Sequence, residues 1–273
     1  MPAAVGCEAQ GGNTVAEMER PANAIRAVLL DRDGTVAHLS PAKVEARDAA
    51  LARVLGQESF ALTEKLEESA FRELYWRPPP LPPTTLEGES LFWQRWFAVV
   101  LKQAGYTENA LKAAKELLDE FVFWKLLEPY PDVPPVLRAL RRAGLRIGII
   151  SDSWPSLELS FREMGLAEYV DTYTSAYLVG CYKSDARIHL SALRSLDVSA
   201  GESVFVDDVG EYVAVARQLG MRAFLINRNS PANDPGSAVI STLWPLLEVL
   251  SIAPNGDAHV PDHCKSPDPR GLA

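Results

Sequence analysis

The feature that most constrains the fold is an alternation of strand and helix patterns. Residues 24–30, 145–150, 169–174, 203–207 and 222–226 are short, mostly apolar runs, and helical periodicity fills the segments before most of them. Strands without alternating polar positions are typical of parallel sheets that helices cover on both faces. The sequence therefore predicts an α/β fold with a doubly wound, Rossmann-like parallel sheet.

One long segment interrupts this alternation. Residues 41–127 show amphipathic helical periodicity and no convincing strand, which indicates an inserted all-helical cap. The α/β core is then expected to comprise residues 24–40 and 128–252. The polar ends of the chain, residues 1–23 and 253–273, are expected to be flexible tails.

Composition excludes several classes of partner. The chain has 273 residues, 47% of them hydrophobic, and its 27 Lys and Arg against 36 Asp and Glu give a formal net charge of −9. This charge disfavours nucleic acid and anionic membrane surfaces as partners. No apolar run approaches the ~18 residues of a membrane span. Three widely spaced cysteines and the absence of a secretory signal favour a cytoplasmic protein. The sequence does not determine the oligomeric state.

Polar residues follow the predicted strands at the points where ligands bind in doubly wound sheets. Parallel strands bring these residues to one edge, and residues two apart in an extended chain face the same side. The candidates, in chain order, are Asp31, Asp33, Ser151, Lys183, Asp207 and Asp208.

The four aspartates of this set predict a cation site. Like charges ~4 Å apart repel by roughly 4 kcal/mol per pair at an effective dielectric of ~20, so a cluster of carboxylates favours a bound cation. Oxygen ligands without histidine or cysteine suit a hard ion, and a site open to water and phosphate suits Mg²⁺. Either Asp207 or Asp208 can supply the ligand from the later strand.

The remaining candidates suit a phosphoryl group. Lys183 offers a fixed positive charge and Ser151 a hydroxyl donor for a multiply anionic group. An ionised Asp31 can act as the nucleophile that forms an aspartyl-phosphate, and Asp33 can serve as general acid and then general base. A small phosphorylated metabolite is the expected partner.

These residues and their order resemble the four motifs of the haloacid dehalogenase superfamily: Asp31-Arg-Asp33-Gly-Thr35, Ser151, Lys183, and Val-Phe-Val-Asp207-Asp208. The helical segment resembles the cap of its phosphoglycolate phosphatase-like branch. The resemblance implies Mg²⁺-dependent hydrolysis of a phosphate ester through an aspartyl-phosphate. It also implies that the Asp31 side chain, the Asp33 backbone carbonyl and a fourth-motif aspartate, Asp208 rather than Asp207, bind Mg²⁺.

Two details qualify this resemblance. Dehalogenating relatives lack the second aspartate, so Asp33 favours a phosphatase. Tyr212 stands where an aspartate or asparagine is common, so an auxiliary metal contact is missing or comes from Asp207 or Glu211.

The sequence leaves other functions open. A phosphomutase of the same fold would transfer the phosphoryl group to an acceptor hydroxyl, and a non-catalytic module would hold it on aspartate as a signal. The cap tryptophans Trp76, Trp93, Trp96 and Trp124 are expected to pack in a core rather than to stack on a substrate. Arg72, Arg77, Arg95 and Lys102 are candidates for binding a second anionic group, with a solvated helix face as the default.

Overall fold

A computed structural model describes residues 24–76, 84–230 and 238–253 of the chain. The predicted tails lie outside these residues, apart from residue 253, as do Arg77, Cys7 and Cys264. Cys181 is a free thiol.

Eight strands are present in the described residues. They are β1 (Ala27–Leu30), β2 (Ala37–Leu39), β3 (Leu127–Pro129), β4 (Arg146–Ser151), β5 (Thr172–Ser175), β6 (Ser203–Asp207), β7 (Arg222–Ile226) and β8 (Val239–Ile240). Six of them form a parallel sheet in the order β5-β4-β1-β6-β7-β8, whereas β2 and β3 pair with each other in antiparallel fashion. The predicted doubly wound parallel sheet is confirmed.

The sheet reverses its direction of growth at β1. The chain first adds β4 and β5 on one side of β1, then crosses over to add β6, β7 and β8 on the other. Leu30 pairs with Ile149 of β4 and with Val206 of β6. In such sheets a ligand crevice lies beyond the carboxyl ends of the strands at the reversal, here beside β1.

Ten α-helices are seen in the same residues. They are α1 (Pro41–Leu55), α2 (Glu64–Trp76), α3 (Leu86–Gln103), α4 (Ala110–Phe121), α5 (Val133–Arg142), α6 (Leu157–Glu163), α7 (Ala176–Val179), α8 (Ala186–Ser195), α9 (Gly210–Gln218) and α10 (Trp244–Val249). None of these helices has the length and apolar character needed to cross a bilayer.

The strands bury both faces, as their composition predicts. Val28 and Leu30 of β1 pack into one apolar cluster with α5, α6 and α10. Ala27 and Leu29 face the opposite way and pack with α8 and α9. This alternation follows from the two-residue period of a strand.

Helices α1 to α4 share a separate apolar cluster that includes Trp93 and Trp96. These helices contact the loop after β4 in two places. Trp154, in the loop after β4, packs against Trp93 with ring centroids 5.4 Å apart. Buried Glu89 of α3 accepts a hydrogen bond from the backbone N–H of Ser156 at 2.9 Å, and burial raises the pKa of Glu89.

Two local features could not be read from the sequence pattern. The short strands β2, β3 and β8 give too little periodicity to be identified, because each has only two or three residues. Asp132 stands at the N-terminus of α5 but makes no capping bond there. Its buried carboxylate instead pairs with Arg228 at 2.8 Å and accepts the backbone N–H of Leu243.

Candidate active site

The centre of the candidate site is a buried lysine between two buried aspartates. The Nζ of Lys183 lies 2.5 Å from Asp31 Oδ1 and 2.8 Å from Asp207 Oδ2. Asp31 directly follows β1 and Asp207 ends β6, and the parallel register of these strands places both at one level. Lys183 thus forms one ion cluster with an aspartate 152 positions before it and another 24 positions after it in the chain.

Burial sets the protonation tendencies of this cluster. It raises the pKa of Asp31 well above its usual range and the pKa of Asp207 to about 6, against the opposing effect of the Lys183 ammonium. Burial alone would lower the pKa of Lys183, but the two carboxylates outweigh it and raise that pKa. The lysine therefore stays charged and holds the two carboxylates together.

Asp208 joins the cluster from a more exposed position. Side-chain oxygens of Asp31, Asp207 and Asp208 all lie within 4.8 Å of one another. Asp208 packs against the backbone of Gly34, where a β-carbon would lie only 2.2 Å from Asp208 Oδ2. Gly34 also has a positive φ of 74°, so glycine suits this turn for two reasons.

The donor set fits a hard cation such as Mg²⁺. All three groups are carboxylates, and among the described residues Asp31 Oδ2 is buried without a hydrogen-bond partner. Both Asp207 oxygens already accept hydrogen bonds, one from Lys183 and one from the backbone N–H of Val209 at 2.9 Å. Asp31 and Asp208 are therefore the side chains best placed to bind the ion.

Asp33 lies outside this carboxylate cluster. Its half-exposed side chain is paired with Arg32, whose guanidinium donates to Asp33 Oδ2 at 2.8 Å and to Oδ1 at 3.1 Å. Arg32 is itself buried and lies over the ring of Phe123. Sequence reasoning does not identify Arg32 as a site residue, because nothing in the local pattern shows that a basic residue in this turn is buried.

Ser151 is buried at the carboxyl end of β4, beside β1. The register places it one residue beyond the level of Asp31. The structure thus brings the ends of β1, β4 and β6 together at one edge of the sheet, as the sequence predicts.

Three further residues hold the Lys183 segment in place. Asp152 accepts the backbone N–H of Lys183 at 2.8 Å and a hydrogen bond from Tyr212. The Tyr212 ring lies 4.8 Å from Lys183 Nζ, so this side chain supports the lysine rather than supplying a metal contact. His189 Nε2 lies 2.9 Å from the carbonyl oxygen of Lys183, and burial lowers the pKa of His189. A histidine on the buried face of α8 is a sequence signal that could have identified this support.

A cavity of about 240 Å³ separates these loops from the helical segment. Arg32, Asp33, Asp152, Ser153 and Trp154 line it from the sheet side. The opposite wall carries aromatic side chains and two charged residues of the helical segment, Arg47 and Glu67. Arg72, Arg95 and Lys102 are exposed and do not line this cavity.

Comparison with known proteins identifies relatives of this chain. A phosphatase of Mycobacterium tuberculosis is 33% identical over 147 residues, which are 52% of this chain and 65% of that protein, slightly less than two thirds of its length. A glyceraldehyde 3-phosphate phosphatase of Methanopyrus kandleri is 28% identical over 222 residues, 77% of this chain and 89% of that protein. The crystal structure of a 2-haloacid dehalogenase from Pseudomonas syringae pv. tomato is similar with a TM-score of 0.59 and 29% identity, over 83% of this chain and 98% of that chain.

A family model for haloacid dehalogenase-like hydrolases matches residues 25–220. The match begins before β1 and ends after α9, so it contains the sheet edge and all the candidate residues described above. The chain therefore belongs to the haloacid dehalogenase-like hydrolase family, as its motifs predict.

Proposed function

We propose that this protein is a Mg²⁺-dependent phosphatase that hydrolyses a small phosphorylated metabolite through an aspartyl-phosphate on Asp31. The observation that carries the proposal is the contact of Lys183 Nζ with both Asp31 and Asp207. It joins a candidate nucleophile, a fixed cation and an acidic cluster at one edge of the sheet. The named phosphatases among the relatives support the same reaction class.

In the first step, an oxygen of Asp31 attacks the phosphorus of the ester. Lys183 fixes the orientation of this carboxylate through Oδ1, and Oδ2 lacks a hydrogen-bond partner from the described residues, so one oxygen can attack phosphorus while the other holds the ion. The bond between phosphorus and the leaving oxygen breaks, and Asp33 transfers a proton to that oxygen. Asp33 lines the cavity, whereas Asp31 does not, so the acid lies on the side where the alcohol would leave.

In the second step, Asp33 removes a proton from water, which attacks the phosphorus of the aspartyl-phosphate. The bond between phosphorus and Asp31 breaks, which releases inorganic phosphate and restores the carboxylate. Lys183 stays positively charged and Ser151 donates its hydroxyl, so both offset charge on the transferring group. Arg32 donates to both oxygens of Asp33, so one oxygen must be released before it can exchange a proton, while the other keeps the pairing.

Asp31 and Asp208 would hold Mg²⁺, with the Asp33 backbone carbonyl as a third ligand. When bound, the ion offsets the negative charge of the phosphoryl group. Helices α1 to α4, residues 41–127, would act as a cap over the sheet edge formed by residues 24–40 and 128–252. Such a cap would keep bulk water from the cavity during the first step.

The test is phosphate release from 4-nitrophenyl phosphate by Asp31→Asn with Mg²⁺. We expect at least a thousandfold loss of kcat, because the amide is a poor nucleophile. Asp197→Asn is the matched control, since Asp197 is 89% exposed in its side chain and lies away from the site. Release by Asp31→Asn at the rate of this control would refute the assignment.

Product analysis separates the remaining alternatives. A phosphomutase would depend on a bisphosphate activator and release little phosphate. A phospho-accepting regulatory module would keep its aspartyl-phosphate for minutes, whereas an enzyme should lose it in less than a second. Chloride release from 2-chloropropionate would instead indicate the dehalogenase activity of the structural neighbour.

A further inference from the structure

The cavity beside Asp33 is bounded mainly by aromatic side chains. They include Phe71, Trp93, Trp96, Phe97, Phe123 and Trp154. Trp93 and Trp96 are buried in the apolar cluster of the helical segment, as predicted, yet both also face this space. Such a wall favours an apolar, flat group through burial and ring contacts.

The size of the cavity limits what it can hold. A cavity of about 150 Å³ is enough to bind benzene. The volume of about 240 Å³ found here therefore has room for one ring with a few additional atoms.

The two arginines that line the cavity are already paired with carboxylates. Arg47 lies 2.9 Å from Asp48 and 3.5 Å from Glu67, and Arg32 is paired with Asp33. A second phosphate or carboxylate in the substrate would have to compete with these carboxylates for a guanidinium. This arrangement disfavours an alcohol that carries its own negative charge.

Two buried polar atoms in the cavity wall have no hydrogen-bond partner from the described residues. They are Trp96 Nε1 and Ser153 Oγ. Both side chains are more than nine-tenths buried and both line the cavity. An indole N–H can only donate a hydrogen bond, so a ligand in this cavity needs an acceptor atom to pair with it. A ligand with a quaternary ammonium group in this place would offer no acceptor and would leave the N–H unpaired.

We propose that the alcohol part of the substrate is a single uncharged ring that bears a hydrogen-bond acceptor, bound between Trp96 and Ser153. This inference rests on the proposed phosphatase activity and adds the substrate class. The phosphoryl group would lie at Asp31, and the ring would extend past Asp33 into the aromatic cavity.

Four phosphate esters at pH 8 test this specificity. They are pyridin-4-ylmethyl phosphate, benzyl phosphate, 2-phosphoglycolate and phosphocholine. We expect kcat/KM for the pyridine ester to exceed that for 2-phosphoglycolate and phosphocholine at least tenfold, because an apolar pocket discriminates by this order. A preference for 2-phosphoglycolate or for phosphocholine would overturn the proposal.

Trp96→Phe tests the donor, because it keeps a ring and removes the N–H. Both esters lose the same ring contact, so we expect kcat/KM for the pyridine ester to fall about fivefold more than that for benzyl phosphate, as for the loss of one neutral hydrogen bond. Trp124→Phe is the control, since Trp124 does not line this cavity. An equal loss for both esters, or the same loss in the control, would refute the role of Trp96.

The outcome for Asp31→Asn keeps the two proposals separable. If it releases no phosphate from any ester while the wild type prefers 2-phosphoglycolate, only the substrate class fails. If it remains active, the phosphatase mechanism itself fails.

Discussion

Gly34→Ala tests whether the position of Asp208 matters for activity. Gly34 has a φ of 74°, where an alanine costs about 1 kcal/mol of folding free energy. The new β-carbon would lie 2.2 Å from Asp208 Oδ2, whereas ordinary contact begins at 3.4 Å, so this carboxylate must move by the difference of about 1.2 Å. Misplacing a functional group by about 1 Å can reduce a rate ~100-fold.

The matched control is Gly144→Ala. Gly144 has nearly the same φ, 76°, but no atom lies within 4 Å of an added β-carbon. Urea denaturation should give both variants a similar loss of unfolding free energy. With 4-nitrophenyl phosphate and a Mg²⁺ titration, only Gly34→Ala should lose kcat/KM, by about 100-fold. Equal activities in the two variants would refute the role assigned to Asp208.

Two further variants test the buried charges, both by urea denaturation in EDTA. Lys183→Met should lower the free energy of unfolding at pH 7 by about 3 kcal/mol, because Asp31 and Asp207 lose their shared cation. Burial raises the pKa of both carboxyl groups, so the folded variant takes up protons at a higher pH than the unfolded chain does. The loss of unfolding free energy relative to the wild type should therefore shrink as the pH falls toward 5. An unchanged free energy of unfolding at pH 7 would contradict this geometry. Burial lowers the pKa of His189 below 6.5, so the folded protein favours the neutral imidazole. The contribution of this neutral side chain to the unfolding free energy is fully present above pH 6.5 and is lost as the pH falls through the folded pKa. The wild type should therefore lose more unfolding free energy between pH 7.5 and 5.5 than His189→Gln, and identical pH slopes would contradict this.

Local patterns were sufficient to predict the elements that form the sheet edge. The apolar runs of β1, β4, β6 and β7 are confirmed, and the polar residues that end the first three of these strands meet where parallel strands require. The roles of those residues, and the boundaries of the cap, remain predictions.

Other features of the site could not be predicted from local patterns. Arg47 and Glu67 lie on two different helices, and their shared position on the cavity wall depends on how α1 and α2 pack. Exposed positions of the same helices, such as Arg72, carry the same kinds of charge, so residue type alone does not identify which ones face the cavity.

The sequence by itself determined the sheet, its parallel direction and the order of the acidic and basic motifs, because periodicity and strand ends are properties of short segments. Only the tertiary structure decided that Arg32 pairs with Asp33, that Asp207 is bound to Lys183 while Asp208 packs on Gly34, and that aromatic rings enclose the cavity. The physical reason is that burial and partner choice depend on groups from distant parts of the chain, whose approach is set by packing rather than by local pattern.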